Sequence, residues 1–276
     1  MSNCEHETEL LPEECDLFAG ECDMPETECD SLMEEYFAPT MFGEAEVFTL
    51  ETDDGVPVRV LYVAGGFQSA TYLGERRFEP VFEYYRAIDR AFDAGRCVRR
   101  VLMIGGGGFS YPKHLLTSGN ELLRDVRIDV VEIDPAIVDI ARSHFFLDEV
   151  EKDHGSAGTG RLGVIVADGR EFLRSAEPAA YDIVVNDSFD GIDPSSELLS
   201  AESLVAAKHA MAKGGLYLIN TVAETPEEAE PLARVIHSAF ANTYLLLCPD
   251  EEFDGSSNSL LIASDEAVDL PDLITL

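Results

Sequence analysis

The run Val101-Leu102-Met103-Ile104 breaks directly into four glycines, Gly105 to Gly108, and no other stretch restricts the fold so tightly. Four apolar residues bounded in this way read as a buried strand. Glycines at its end permit positive φ and remove the Cβ atoms that would keep a ligand away from the backbone. A helix predicted from about Tyr111 to Thr117 then turns its N-terminal dipole toward the same place. Together these features point to a small adenosine compound bound at the strand end.

The same unit recurs along the chain. Ile128 to Glu132 reads as a second buried strand, followed by Ile133-Asp134-Pro135 and a helix from about Ala136 to Phe146. Glu132 lies 24 positions beyond the last glycine, close to the spacing at which a carboxylate accepts hydrogen bonds from ribose hydroxyls. The plainer alternative is that Glu132 or Asp134 caps the next helix. A third strand, Leu162 to Val166, leads to Ala167-Asp168-Gly169-Arg170 and a short helix over 171–174, and Asp168 falls where an adenine amino group would sit. A fourth, Tyr181 to Asn186, ends in Asp187-Ser188-Phe189-Asp190. Two carboxylates three apart suit general-base work or an ammonium ligand, and the alternative is an Asx-turn. Successive strand ends thus carry a glycine or an acid toward one crevice, where open α/β sheets bind their ligands.

These motifs resemble the spermidine synthases, or polyamine aminopropyltransferases, whose domain has the S-adenosylmethionine-dependent methyltransferase fold. The resemblance spans about Val47 to Ser264. It includes Gly66-Phe67-Gln68-Ser69-Ala70 as the family's glutamine-bearing hairpin and Phe82-Glu83-Tyr84-Tyr85 as its aromatic segment. It implies a Rossmann-like α/β fold with a seven-stranded, mostly parallel sheet behind a small N-terminal β-sheet. The co-substrate it implies is decarboxylated S-adenosylmethionine or S-adenosylmethionine. Gly105, Gly106 and Gly107 would hold its sulfonium end, Glu132 and Ile133 its ribose, Asp168 and Gly169 its adenine, and Gln68 would cover it. Asp187 would be the base that deprotonates an amine acceptor, with Asp190, Tyr84 and Tyr85 lining the amine site. A homodimer is implied by the same resemblance.

The chain departs from the family pattern in two places. The family's glycine loop carries an acid as its fourth residue, read as a grip on the amine end of the donor, where this chain has Gly108. Phe189-Asp190-Gly191 replaces a more polar loop that ends in proline. Both departures favour ordinary S-adenosylmethionine as donor or an altered reaction, because the carboxylate of that donor would be repelled by an acid. Aminopropyl transfer is therefore set beside methyl transfer to a small nucleophile and beside an adenosine-binding relative without turnover.

Charge narrows the partners. The net charge is −35, and 18 acids precede the first positive side chain, Arg59. Such a field disfavours nucleic acid and anionic membrane surfaces and favours cationic ligands. No apolar run approaches the ~18 residues of a membrane span and no basic leader is apparent, so a cytoplasmic location is expected. Residues 1–37 read as an acidic tail without packing periodicity, 38–78 as β-hairpins and 79–276 as the cofactor domain. Cys4, Cys15, Cys22 and Cys29 lack Cys-x-x-Cys pairing, so no metal is expected, with a zinc site as the alternative. Cys97 and Cys248 lie in apolar segments and are expected in the core.

Overall fold

Alternation along the central strands shows how the core is divided. Val101 and Met103 of the glycine-bearing strand pack on one face of its sheet, and Leu102 and Ile104 on the other. Ile183 and Val185 likewise face away from Val184, and Leu216 and Leu218 away from Tyr217 and Ile219. Strands buried on both faces need apolar residues at every position, which is why the sequence shows continuous runs. Each fully buried aliphatic side chain contributes about 1.5–3 kcal/mol.

The computed structural model describes residues 35–52, 55–93, 97–190, 193–249 and 258–276. A four-stranded antiparallel sheet comes first: β1 (Tyr36–Thr40), β2 (Gly43–Glu51), β3 (Pro57–Val63) and β4 (Gly66–Tyr72), in that order. Helix α1 (Glu83–Asp89) leads to the second layer, which runs β5 (Arg100–Ile104), α2 (Ser110–Thr117), β6 (Arg127–Glu132), α3 (Pro135–His144) and α4 (Leu147–His154). The chain continues through β7 (Leu162–Val166), α5 (Gly169–Ser175), β8 (Tyr181–Asn186) and a small pair, β9 (Phe189–Asp190) and β10 (Asp193–Pro194). It closes with α6 (Ala201–Ala210), β11 (Met211–Thr221), α7 (Pro226–Ile236), β12 (Asn242–Cys248), β13 (Asn258–Ser264) and β14 (Ile274–Thr275). The large sheet has the order β14-β12-β13-β11-β8-β5-β6-β7. Strands β7, β6, β5, β8 and β11 are parallel, and β13, β12 and β14 add antiparallel.

Four expectations need correction. The sheet has eight strands rather than seven, the extra one being the two-residue edge strand β14 on β12. The helix expected to run to Phe146 stops at His144, and Phe146 takes φ of +60° before α4 begins. This turn buries Phe145 against Leu61 and Ile137, a gain of packing that a continuous helix would forgo. Strand β1 begins at Tyr36, inside the segment assigned to the tail, and the rest of that tail, with its four cysteines, lies outside the described residues. Cys97 is exposed, whereas Cys248 is buried as expected.

Residues 35–276 form one compact unit, so the hairpin sheet is not independent of the cofactor domain. Ala45, Val47, Leu61 and Val63 from the small sheet share a core with Ile137, Ile140 and Phe145. The β1–β2 turn is tied to the same helix by Asp134. Its carboxylate accepts from Ala136 N at 2.8 Å as the N-cap of α3, and from Met41 N at 2.5 Å. Among the described residues, no helix is long and apolar enough to cross a membrane.

Candidate active site

The sheet order reverses between β5 and β8: the chain builds outward through β6 and β7, then returns to the other side of β5. The crevice at such a reversal, beyond the carboxyl ends of the strands, is where an open sheet leaves room for a ligand. Gly105 and Asp187 sit at its two lips, and Asp187 N donates to Ile104 O at 2.8 Å. A Cβ on Gly105, whose φ is +97°, would lie 2.1 Å from Asp187 O, so only glycine fits. A cavity of about 220 Å³ opens there, lined by Gly105, Gly106, Gly107, Glu132, Ile133, Asp168, Gly169 and Asp187, with Gln68 and Phe42 reaching in from the hairpin sheet.

Gln68 owes its place to an irregularity in the small sheet. Leu61 pairs with Ser69 and Tyr62 with Phe67, so Gln68 is the extra residue of a bulge between them. A bulge re-aims side chains that regular pleating would send elsewhere.

Glu132 is buried and holds the glycine loop in shape. Its Oε2 accepts from Gly106 N at 2.8 Å and Gly107 N at 3.4 Å, and its Oε1 from Asp134 N at 2.9 Å. Burial raises its pKa, and these three amides oppose the rise. It does not cap α3; Asp134 does. Asp168 caps α5, accepting from Arg170 N at 2.8 Å and Glu171 N at 3.2 Å, and Arg170 crosses the cavity wall to Glu197 at 3.2 Å.

Asp187 is surrounded by neutral donors. Asn220 Nδ2 donates to its Oδ1 at 2.7 Å, and Tyr85 and Tyr84 hydroxyls donate to its Oδ2 at 3.1 and 3.2 Å. Among the described residues it has no ion-pair partner, and burial raises its pKa despite the three bonds. The two tyrosines are raised well above their usual range, chiefly by burial and then by the Asp187 charge. Tyr85 lines the cavity, and Tyr84 meets it through its bond to Asp187. The side chain of Asp190 lies outside the described residues.

Sequence reading missed Asn220 and Asn258. Asn258 Nδ2 donates to Asn220 Oδ1 at 2.8 Å, extending the network to β13. The available signal was a polar residue closing the apolar run Leu216 to Ile219 at a crevice-facing strand end.

The sheet order and the crevice define a class I methyltransferase fold, α/β with a small antiparallel sheet in front. Residues 93–265, more than half of the chain, match the family model described as the spermine/spermidine synthase domain, and the chain belongs to that family. It is 27% identical over 181 residues to polyamine aminopropyltransferase 2 of Hyperthermus butylicus, covering 64% of this chain and 55% of that one. It is 32% identical over 120 residues to putrescine N-methyltransferase 1 of Nicotiana tabacum, covering 43% of this chain and 29% of that one. The chain thus spans between about a third and about half of the length of these curated relatives. The crystal structure of a probable spermidine synthase from Corynebacterium glutamicum superposes with a TM-score of 0.65 at 20% identity, covering 86% of this chain and 81% of that one.

Proposed function

We propose that the chain is a transferase that moves an aminopropyl group from a sulfonium adenosine donor to a small primary amine, with Asp187 as the base. One observation carries this reading: a half-buried carboxylate faces the cavity with three neutral donors and, among the described residues, no positive side chain against it. A carboxylate has about four acceptor positions, so one remains open, and a desolvated anion draws a cation to fill it. An ammonium group is the matching ligand, and the family membership and the relatives' names support a polyamine.

The residues fit the donor as well. Gly105, Gly106 and Gly107 present bare backbone to the cavity, and Glu132, with three amides on it, keeps acceptor capacity for ribose hydroxyls. Ile133 and Leu198 offer apolar walls for a base, and Asp168 stands at their edge. The donor supplies an electrophilic carbon beside a positive sulfur that leaves as a neutral thioether. Asp187 binds the incoming ammonium, takes one proton from it and frees the nitrogen lone pair to form the new C–N bond. A free amine has a pKa near ~10, and the raised pKa of Asp187 narrows the gap across which that proton moves. Homodimer formation and a cytoplasmic location belong to this proposal through family resemblance.

Methyl transfer is the second reading, favoured by Gly108. A Cβ there would lie 2.6 Å from Ser69 Oγ and 2.8 Å from Phe145 Cδ1, so the position is closed to the acid that the family pattern carries. Ser69 is itself fixed by Ser110 at 3.0 Å. The similarity to putrescine N-methyltransferases agrees with this. The test is product analysis after incubation with 1,4-diaminobutane and each donor in turn. Methylthioadenosine from the decarboxylated donor is expected; S-adenosylhomocysteine from S-adenosylmethionine alone would replace the first reading with the second, and neither product would overturn both.

A further inference from the structure

We propose that Asn220 and Asn258 are positioning residues for Asp187, a two-amide relay that fixes how its carboxylate faces the cavity. The inference rests on Asp187 serving as the base. Asn220 ends the apolar run of β11 and is 2% exposed, so its amide has no solvent to satisfy it. Its nitrogen meets Asp187 Oδ1 at 2.7 Å and its oxygen receives Asn258 Nδ2 at 2.8 Å. An amide rotated by half a turn would set its oxygen against a carboxylate oxygen, two acceptors without a proton between them. The Asn258 donor opposes that rotation, because it holds the oxygen end. Neither asparagine lines the cavity, so the pair acts on substrate only through Asp187.

The relay has a direction in pH. The Asn220 bond favours the ionised carboxylate, against the burial that disfavours it. Losing the relay leaves burial less opposed, so Asp187 holds its proton to higher pH and is absent as a base over part of the working range. A residue that merely fills space would leave this titration where it is.

The experiment compares Asn258→Leu and Asn220→Leu with the unaltered full chain, using isotope-labelled aspartate. The Asp187 carboxyl resonance is identified by its absence in Asp187→Asn. Both variants should titrate at higher pH than the parent, Asn220→Leu further than Asn258→Leu. The acid limb of the rate profile should move the same way, turnover should fall about tenfold as expected for one lost bond to a carboxylate, and donor affinity should hold. An unchanged Asp187 titration in the variants overturns the relay, whatever their turnover or melting temperature. Asn258 is half-buried at the start of its strand, so Asn258→Leu decides the matter if Asn220→Leu does not fold. A parent chain that turns over no amine would sink the functional reading, while the titration would still decide whether the relay exists.

Discussion

Asp187 is held under two opposed demands. Burial favours its neutral form and the three donors favour its charge, with a net rise in pKa. A carboxyl whose folded pKa lies above its unfolded value weakens folding once ionised, so its cost appears as pH climbs between those two values. Asp187→Asn removes that cost. The variant should melt above the parent at neutral pH, and the gap should close in acid, where the parent's carboxyl is also neutral; a lower melting temperature at neutral pH would show that burial does not dominate. Gly105 makes a steric demand at the same lip. Gly105→Ala places a Cβ against Asp187 O at a φ of +97°, and should cost about 3 kcal/mol or more in urea denaturation together with donor affinity. Gly105, Glu132, Asp168 and Asp187 were legible in the sequence because each ends a strand with a residue that cannot serve the core. Asn220 was not, since its partner Asp187 is 33 positions away and only sheet order brings them together.

At the scale of elements, Lys113 joins three of them behind the glycine loop. Fully buried on α2, its ammonium donates to Phe145 O at the end of α3 at 2.6 Å and to Thr71 Oγ1 on β4 at 3.4 Å. Desolvation lowers its pKa to about 7, with Glu149 opposing. A base with a lowered folded pKa binds fewer protons than the unfolded chain between about 7 and its ordinary value, so stability should rise with pH across that window. Thermal melts of the parent should show this rise relative to Lys113→Met, and parallel curves would contradict it. The strands and most helices were readable from apolar runs and caps. The break at Phe146, the strand β1 and the bulge at Gln68 were not: β1 is exposed or half-buried along its length and so shows no core alternation, and the other two leave no local pattern in the sequence. Gly108 shows the limit most clearly: its sequence position signals a missing acid, and only the packing of Ser69 and Phe145 shows that the position is closed.

The whole molecule carries a charge of −35. Self-repulsion of that size is screened within roughly 8 Å at physiological ionic strength. Added salt should therefore raise the melting temperature while weakening amine binding, and an amine affinity insensitive to salt would argue against a cationic ligand. The reversal of sheet order, the glycine loop and a carboxylate held by neutral donors converge on one crevice. Their joint meaning is tested by Asp187→Asn, with product release followed beside calorimetric titration of the donor. Turnover should fall at least about 100-fold with donor affinity unchanged, as for loss of a positioned base. Turnover within a few-fold of the parent, with the donor still bound, would contradict the role given to Asp187 and with it the account of the site.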